Sequence, residues 1–522
     1  METPIGSSPV VVIGAGLAGS EAAWQLAAAD VPVVLYEMRP VRGTPAHRTD
    51  RFAELVCSNT LRSDDPTNAI GCLKEEMRAL GSLVISAADA HRVPAGKALA
   101  VDREGFSRHI TDRLAEHPRV RILREEVPLL RPLLERDLTV IVATGPLTSD
   151  SLACDILDLT HTNALYFYDS LAPLVAAETV DMSKTFRASR YGMGDGDDYI
   201  NCPMTRPEYD AFVQAVIAAE QVPVRDFEDP KYFEGCLPIE VMAERGIDTL
   251  RHGPMKPMGL ADPRAGAMPP HAVVQLRQDN AAGTVYNMVG FQTRMKWPEQ
   301  LRILRMIPGL ERAEFLRLGA MHRNTYINAP LLLDEHLHFK TLLRRDPYAG
   351  LKPREGAPPS KLGQIVHQRS VLPVATGDRL HLAPPGLRPA PPPQAPLRDH
   401  PSEGFEMNGL YFAGQIVGVE GYVESAAMGL WVGLCVGTRA GKIVPPPQTT
   451  ALGSLINHVA HGNPSHFEPQ NAHWGLTPAL ASAGGKAGRK AVFLARARDD
   501  FAAWLTQIGS DNKSVAIRRD AG

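Results

Sequence analysis

Two cysteines lie in short segments whose neighbouring residues suit a reactive thiol. Cys236 stands in the sequence Glu-Gly-Cys-Leu-Pro, where the glycine and the proline indicate an exposed turn. Cys57 stands in Val-Cys-Ser-Asn-Thr, where Ser58 or Asn59 could cap a following helix. A thiolate in such a place can act as a nucleophile or accept a proton. A cysteine is also a small apolar side chain that is often buried, and the residues alone leave both interpretations open.

A glycine-rich loop near the start of the chain predicts a dinucleotide site. It follows an apolar run in the pattern GxGxxG, and its residues are Gly14, Ala15, Gly16, Leu17, Ala18 and Gly19. In this pattern the first glycine permits a tight turn, the second lets the backbone approach a pyrophosphate, and the third allows close packing of helix and strand. Glu37 follows 18 residues after the last glycine, a spacing that suits hydrogen bonds to ribose hydroxyls and disfavours a 2′-phosphate.

A second segment, far along the chain, favours FAD over NAD as this dinucleotide. One apolar run ends at Gly145, and much later the apolar run Leu410–Ala413 ends in a small-residue turn before an Ala/Gly-rich segment. A chain that returns in this way suits the flavin and ribityl end of an extended FAD, whereas an NAD enzyme needs no such return. We therefore predict that the second half of the site contains Gly145, Gly414, Gln415, Gly421 and Tyr422.

These motifs require a β-α-β unit to position them. Val10–Ile13 and Val33–Tyr36 are apolar on both faces, as in a buried parallel sheet, and Ser20–Ala29 between them has a helical pattern. Leu138–Ala143 is a third strand of this kind, and a helix over Gly421–Ala440 follows the return strand. The sequence predicts an α/β fold, with a discontinuous, doubly wound FAD-binding domain (Rossmann-like, of the glutathione-reductase type) and an inserted mixed α/β domain.

Changes in composition along the chain suggest where these domains begin and end. We place the first part of the FAD-binding domain at residues 1–160 and an inserted substrate-binding domain at 161–335. A Pro-rich, partly disordered connection follows at 336–405, and the second part of the domain with its C-terminal helices covers 406–522. Within that last part, Gly485–Leu505 is predicted to form an amphipathic basic helix.

The composition is that of an ordinary globular protein. The chain has 522 residues, of which 44% are hydrophobic and 22% charged, and its net charge of −3 gives no global attraction to a polyanion. Its six cysteines form no CxxC pair, which argues against a zinc ribbon or a disulfide framework and for reduced thiols in the cytoplasm. No histidine motif predicts a metal site. No signal peptide or membrane-spanning run is visible, so a soluble cytoplasmic protein is expected.

Several longer motifs make the chain resemble one family closely. They are ELVCSNTLRS (54–63), FEGCLPIE (233–240), MKPMGLADP (255–263), AVVQLRQDN (272–280), VGFQT (289–293), RMIPGL (305–310), MHRNTYI (321–327), LYFAGQIVGVEGYVESAAMGL (410–430) and HFEPQNAHWGL (466–476). The chain resembles the bacterial folate- and FAD-dependent tRNA uracil-5-methyltransferases, and the resemblance covers most of its length. It departs from them at about residues 338–405, where the Pro-rich connection is longer than the family's.

The resemblance implies a particular reaction. A methylene group passes from 5,10-methylenetetrahydrofolate to C5 of a uridine in the T-loop of tRNA, and FADH2, regenerated by NADPH or NADH, reduces it to a methyl group. Cys236 is then implied as the thiolate that attacks C6, and Cys57 as a second catalytic thiol whose role as proton acceptor is left open. The remaining cysteines, interpreted as small apolar side chains, are Cys72, Cys154, Cys202 and Cys435.

A local excess of positive charge supports an RNA partner. Residues 251–330 contain 11 Lys and Arg against 5 Asp and Glu, in a chain whose net charge is negative. Candidate phosphate contacts are Arg294, Lys296, Arg302, Arg305 and Arg323. Candidate aromatic residues for stacking on an unpaired base are Phe291, Trp297 and Tyr326. For each of these residues, a solvated charged face is the alternative.

The sequence leaves other functions open. The same chemistry on ribosomal RNA is one of them, and a small-molecule flavin NAD(P)H oxidoreductase or a non-catalytic FAD-stabilised RNA-binding protein are others. The related FAD- and folate-dependent family that modifies the wobble uridine of tRNA has a long helical C-terminal extension. Only a short segment follows the second flavin helix here, which disfavours that relative. The oligomeric state, monomer or dimer, is left open.

Overall fold

The structure is a computed structural model that describes residues 8–44, 46–160, 165–170, 172–222, 237–264, 269–319, 321–340, 409–438, 443–480 and 486–511. In chain order the strands are β1 (Val10–Ile13), β2 (Val33–Tyr36), β3 (Thr60–Ser63), β4 (Arg92–Val93), β5 (Ala98–Val101), β6 (Val120–Leu123), β7 (Val140–Val142), β8 (Leu165–Ser170), β9 (Leu174–Ala176), β10 (Phe186–Arg187), β11 (Tyr199–Met204), β12 (Ala272–Gln278), β13 (Val285–Met288), β14 (Phe315–Arg317), β15 (Met321–Tyr326) and β16 (Leu410–Phe412). The helices are α1 (Leu17–Ala28), α2 (Ala69–Ala79), α3 (Leu83–Ala90), α4 (Arg103–Ala115), α5 (Arg131–Leu134), α6 (Asp150–Thr160), α7 (Arg206–Ile217), α8 (Ile239–Glu244), α9 (Thr249–His252), α10 (Trp297–Leu304), α11 (Ala329–Leu332), α12 (Tyr422–Gly437), α13 (Ala451–His461) and α14 (Lys486–Asp511). The predicted Pro-rich connection lies, from residue 341 onward, outside the described residues.

A five-stranded parallel sheet carries the glycine-rich loop. Its strand order is β16-β7-β1-β2-β6, and every neighbouring pair is parallel. β1 and β7 read Val-Val-Val-Ile and Val-Ile-Val and are completely buried, as strands of a parallel sheet with covered faces are. β16 joins the edge of the sheet from a distant part of the sequence. The predicted α/β fold with a Rossmann-type parallel sheet is therefore confirmed.

Glycines let the helix of the second chain segment pack closely on the first helix. A Cβ added at Gly429 of α12 would lie 2.1 Å from the Ala18 carbonyl oxygen of α1. A Cβ added at Gly433, one turn further along, would lie 2.7 Å from the Gln25 Cβ. The two helix backbones approach each other so closely because neither position has a side chain. This contact holds the late segment of the chain against the glycine-rich loop.

A six-stranded antiparallel sheet forms the core of the inserted part, in the order β10-β11-β12-β13-β9-β14. Along β12, Val274 and Leu276 lie in an apolar cluster, and Gln275 and Arg277 alternate with them. The Arg277 Nε donates to the Asn59 Oδ1 at 3.1 Å, so the polar face of this sheet contacts the N-terminal segment. Two smaller units complete the described strands, a sheet of β3, β5 and β4 and the pair β8 and β15.

The C-terminal helix α14 packs on the molecule through aromatic side chains. Phe493, Phe501 and Trp504 are buried, and the Trp504 indole N–H donates to the Val444 carbonyl oxygen at 2.8 Å. The helix predicted over Gly485–Leu505 is present and continues further than predicted. Across the described residues, no helix has both the length and the apolar character needed to cross a membrane.

Candidate active site

The three glycines of the loop between β1 and α1 each have a separate structural reason. Gly14 has a φ of +97°, and a Cβ there would lie 2.7 Å from the Ala143 carbonyl oxygen. Gly16 is extended, with φ −72° and ψ −168°, and a Cβ there would have no protein atom within 4 Å. A Cβ at Gly19 would lie 1.7 Å from the Gly14 carbonyl oxygen. The first and third glycines serve the turn and the packing, and the second leaves open space beside the start of α1.

The Glu37 carboxylate lies at the end of β2 and is held in its ionised form. Its Oε2 accepts the Ala15 N–H at 3.1 Å, and the Arg39 Nε donates to its Oε1 at 2.9 Å. Burial raises the pKa of Glu37, but the hydrogen bonds and charge of Arg39 outweigh this effect and lower the pKa below its usual value. Arg39, which is buried and was not singled out from the sequence, also pairs with Glu54 at 3.2 Å.

A cavity between the two chain segments joins most of the predicted cofactor residues. Those that line it are Gly14, Gly16, Leu17, Ala18, Glu37, Gly145, Gln415 and Tyr422. The others, which lie outside its lining, are Ala15, Gly19, Gly414 and Gly421. Gly414 and Gly421 have φ angles of +86° and +102°, which favour glycine, so they shape the turns before α12. Cys57 also lines the cavity, and a predicted thiol therefore lies beside the predicted cofactor residues.

The cavity fits a dinucleotide that contacts both chain segments. The open space at Gly16 lies at the N-terminus of α1, where backbone N–H groups and the helix dipole favour an anion such as a pyrophosphate. Glu37 also lines the cavity, and a carboxylate is the kind of group that accepts hydrogen bonds from ribose hydroxyls. Gln415 and Tyr422 of the late segment contribute to the same cavity, as an extended second half of the ligand requires.

Side chains from separate elements hold the loop that carries Cys57. The Tyr422 hydroxyl accepts the N–H groups of Cys57 at 2.7 Å and of Ser58 at 3.2 Å. From the inserted sheet, the Arg317 guanidinium donates to the Cys57 carbonyl oxygen at 3.1 Å, and Arg277 donates to the Ser58 hydroxyl at 2.6 Å. The loop is therefore bound on one side by the cavity wall and on the other by the inserted sheet.

A salt bridge lies against the same loop. Arg103, the first residue of α4, pairs with Asp279 at 2.7 Å and donates to two carbonyl oxygens of the loop, including that of Cys57. Burial, reinforced by the charge of Cys57, raises the pKa of the Tyr422 hydroxyl well above its usual value, so this group remains protonated. The motif 272–280 contains both Arg277 and Asp279 but predicts no role for either residue. The signal for Arg277 is a charged residue within an otherwise apolar strand.

Cys236 lies outside the described residues, but the segment directly after it is described. Glu240 of this segment is buried, and its Oε1 accepts the N–H groups of Met295 at 2.8 Å and Arg294 at 3.0 Å, together with the Thr293 hydroxyl. Burial raises the pKa of Glu240, and these hydrogen bonds act against the rise. The segment after the predicted nucleophile is thereby joined to the segment that begins the predicted RNA contacts.

Three of the predicted phosphate contacts are exposed and held by local partners. Lys296 pairs with Glu220 at 2.8 Å, and Arg302 pairs with Glu299 at 2.5 Å. Arg305 donates to a backbone carbonyl oxygen at 3.3 Å. Exposed ion pairs of this kind contribute little to stability, so a phosphate can replace the carboxylate partner at low cost.

The remaining RNA candidates differ in exposure. Arg294 is partly buried, and the Arg323 side chain lies outside the described residues. Phe291 is fully buried in the apolar cluster of the inserted sheet and Tyr326 is 4% exposed, so the expectation that they stack on a base is wrong. Packing in the core, rather than proximity to cations in the sequence, determines their position. Trp297 is 64% exposed and keeps a face that a base could contact.

Fold and cavity together define a two-segment Rossmann-type protein with a site shaped for a dinucleotide. The chain belongs to the Glucose inhibited division protein A (GIDA) family, whose model matches residues 9–344 and 402–443, and within it to the group of relatives named methylenetetrahydrofolate--tRNA-(uracil-5-)-methyltransferase TrmFO.

Relatives of that name share about half of their residues with this chain. The one from Desulforudis audaxviator is 48% identical over 508 residues, which cover 96% of this chain and 99% of the relative. The one from Myxococcus xanthus is 49% identical over 506 residues, covering 96% and 95%. A solved structure, Aquifex aeolicus GidA, superposes with a TM-score of 0.59 at 14% identity and covers 96% of this chain and 76% of that one. The structural likeness concerns the fold alone.

Proposed function

We propose that this protein is an FAD- and folate-dependent tRNA (uracil-5-)-methyltransferase. It transfers a methylene group from 5,10-methylenetetrahydrofolate to C5 of a T-loop uridine and reduces it to a methyl group at the expense of FADH2, which NADPH or NADH regenerates. The observation that carries the proposal is the position of Cys57 on the wall of a cavity that the two predicted cofactor-binding segments build. The name and the identity of the relatives support the same reaction.

The residues of the cavity fit FAD as the resident cofactor. Gly16 leaves open space that suits a pyrophosphate, and the ionised Glu37 is assigned to the ribose. Gln415 and Tyr422, which line the same cavity, are assigned to the flavin half. The chemistry that reduced FAD supplies when bound is a hydride for the transferred one-carbon unit. Everything else in the reaction is assigned to side chains of the chain and to the folate donor.

The two thiols divide the work on the uracil ring in this proposal. Uracil C5 is a poor nucleophile, and addition of the Cys236 thiolate to C6 turns C5 into the nucleophilic carbon of an enolate. C5 then bonds to the methylene carbon, which at this point is still attached to a folate nitrogen. Cys57 is assigned as the second thiol and accepts the C5 proton, and the carbon–nitrogen bond breaks, which releases tetrahydrofolate and leaves an exocyclic methylene group on C5. Addition of a hydride to that methylene, the chemistry that reduced FAD would supply, forms the methyl group, breaks the Cys236–C6 bond and restores the ring. The products are 5-methyluridine, tetrahydrofolate and oxidised FAD, so atoms and electrons balance.

The test is production of 5-methyluridine by the purified holoenzyme. Protein, a tRNA transcript, 5,10-methylenetetrahydrofolate and NADPH or NADH are combined without oxygen, and nucleosides are measured by mass spectrometry. Cys236→Ala and Cys57→Ala are expected to abolish the product. Cys154→Ala, at an exposed thiol on α6, is the matched control and is expected to retain it.

Two results would contradict this function. One is the absence of 5-methyluridine in every RNA supplied, including ribosomal RNA, while NAD(P)H is still oxidised at a rate that RNA and folate do not change. That result identifies a small-molecule flavin oxidoreductase. The other is a Cys236→Ala variant as active as the unaltered protein. Product in ribosomal RNA but not in tRNA would keep the chemistry and correct the substrate.

A further inference from the structure

Three guanidinium groups surround the loop of Cys57. Among the described residues a single carboxylate, that of Asp279, forms an ion pair with one of them. Arg103 forms an ion pair with Asp279 at 2.7 Å. Arg277 is hydrogen-bonded to neutral groups, the Asn59 amide oxygen at 3.1 Å and the Ser58 hydroxyl at 2.6 Å.

Arg317 is likewise held by neutral groups. Its guanidinium donates to the carbonyl oxygens of Val56 at 2.9 Å, Cys57 at 3.1 Å and Ala172 at 3.1 Å. Neither Arg277 nor Arg317 pairs with a carboxylate among the described residues. The cluster therefore has an excess of positive charge beside the cavity.

This excess charge is enclosed, and enclosure makes it costly. Arg277 is 6% exposed, and the Arg317 Nε is buried with no hydrogen-bond partner in the described part of the chain. Burial and, to a smaller extent, the charge of Arg103 lower the pKa of Arg317, Asp279 and Cys57 act in the opposite direction, and the resulting pKa is about 10. A buried cation without an anionic partner is unfavourable, so a further negative charge close to these arginines stabilises the cluster.

Cys57 is an ionisable residue of the same loop, and the arginines bind it and its neighbours on both sides, Val56 and Ser58. Two negatively charged groups raise the pKa of all three arginines, Arg103, Arg277 and Arg317. They are Asp279 and the charged form of Cys57. The carbonyl group of Cys57 itself accepts hydrogen bonds from Arg317 and Arg103.

We propose that Arg317 is a positioning residue of the reaction, which, with Arg277, fixes the Cys57 loop and stabilises the Cys57 thiolate as the missing anion of the cluster. The inference rests on the proposed function in one respect, the use of Cys57 as a catalytic thiol. Arg317 belongs to β14 of the inserted sheet, so the inserted part of the chain determines the reactivity of a thiol on the cofactor cavity.

The experiment measures how fast Cys57 is alkylated by iodoacetamide in the FAD-loaded protein at neutral pH. Peptide mass spectrometry follows Cys57 and, as an internal reference in the same sample, the exposed Cys154. In the unaltered protein Cys57 is expected to react faster than Cys154. Arg317→Met is expected to slow alkylation of Cys57 about tenfold and to leave Cys154 unchanged, because the thiolate is the reactive form.

Arg264→Met is the matched control. Arg264 also lies in the inserted part and donates to two backbone carbonyl oxygens, but it pairs with Asp262 at 2.6 Å and has no contact with the Cys57 loop among its hydrogen bonds. It is expected to leave alkylation of Cys57 unchanged. Arg317→Lys keeps the charge and is expected to retain most of the reactivity, and millimolar guanidinium ion is expected to restore reactivity to Arg317→Met.

The outcomes separate this inference from the proposed function. If Cys57 reacts no faster than Cys154 in the unaltered protein, or if Arg317→Met, with unchanged melting temperature and flavin content, reacts as the unaltered protein does, the inference is overturned. If Arg317→Met does not fold, Arg317→Lys provides the test. This variant keeps the positive charge, so a tenfold slower alkylation of Cys57 in it would show that charge is not the cause and would overturn the inference. None of these measurements requires methyl transfer, so a failure to form 5-methyluridine leaves their result intact.

Discussion

Alanine substitutions at Gly16 and Gly19 are expected to have opposite effects, although both lie in one short loop. At Gly16 the backbone is extended and a Cβ meets no protein atom within 4 Å, so alanine introduces no strain. Alanine there restricts the unfolded chain and raises the free energy of unfolding by about 0.4–1 kcal/mol. The cofactor-free Gly16→Ala protein is therefore expected to be as stable as the unaltered protein or slightly more so.

At Gly19 the same substitution creates a clash with the backbone. The added Cβ would lie 1.7 Å from the Gly14 carbonyl oxygen and 3.3 Å from the Ala143 Cβ. Overpacking costs about 1–3 kcal/mol, and a backbone neighbour that cannot rotate away puts this site at the upper end. The better helix propensity of alanine returns about 1 kcal/mol. The net expected loss is about 2 kcal/mol in the free energy of unfolding.

The two substitutions are expected to affect cofactor binding in the reverse order, with Gly16→Ala weakening it more than Gly19→Ala. The methyl group at Gly16 occupies the space through which the backbone approaches the proposed pyrophosphate, so FAD affinity is expected to fall at least about tenfold, or ~1.4 kcal/mol. Thermal unfolding of cofactor-free protein, with and without added FAD, measures both effects. A cofactor-free Gly16→Ala protein that melts below the unaltered protein, or a Gly19→Ala protein that melts with it, would refute the roles assigned to these glycines.

Three further predictions concern separate parts of the molecule. Tyr422→Phe removes the acceptor of the Cys57 N–H and is expected to cost about 1–3 kcal/mol of local stability, measured as faster hydrogen exchange of that amide; unchanged exchange would contradict the contact. Burial raises the pKa of Glu76 to about 7, so its contribution to stability is present below its ordinary pKa and is lost as the pH rises through about 7. In urea unfolding at a series of pH values up to about 7, Glu76→Gln is expected to weaken the fall of the free energy of unfolding with rising pH. An unaltered slope of that free energy against pH would rule out Glu76 as its cause. Gly433→Leu inserts a side chain where a Cβ already lies 2.7 Å from the Gln25 Cβ, and a loss of about 3 kcal/mol in thermal unfolding is expected; a variant as stable as the unaltered protein would show that α12 does not pack closely there.

The dinucleotide part of the molecule could be predicted from the sequence because its rules are local. The backbone needs a positive φ at Gly14 and close packing at Gly19, and only glycine satisfies both within one short loop. The strands predicted at Val10–Ile13 and Val33–Tyr36 have the same bounds in the structure, since buried parallel strands are continuous apolar runs. The helix predicted from Ser20 begins three residues earlier, at Leu17. Its N-cap residue is Gly16, which has no side chain to form a capping hydrogen bond, so the sequence does not mark the start of the helix.

The surroundings of Cys57 could not be predicted because they depend on distant contacts. Arg317 and Cys57 are 260 residues apart in the chain, and their contact follows only from the packing of the inserted sheet on the N-terminal segment. The same limit explains the error at Phe291, which lies a few residues before Arg294 and Lys296 in the sequence but is surrounded by apolar side chains in space. Residue type and sequence context made Cys57 a candidate and the family resemblance implied its role, whereas the charged groups around its loop come from tertiary structure.

The two sides of the Cys57 loop are bound by parts of the chain that have different proposed tasks. The N–H of Cys57 is bound by Tyr422 of the cofactor segment, and its carbonyl oxygen by Arg317 of the inserted sheet. A ligand that moves either part therefore changes a contact of the same peptide segment, which is the physical requirement for coupling between two sites. Such coupling is reciprocal: if RNA bound to the inserted part alters the affinity for FAD, FAD alters the affinity for RNA by the same factor. Loss of Arg317 is then expected to reduce that factor toward one while each ligand still binds alone.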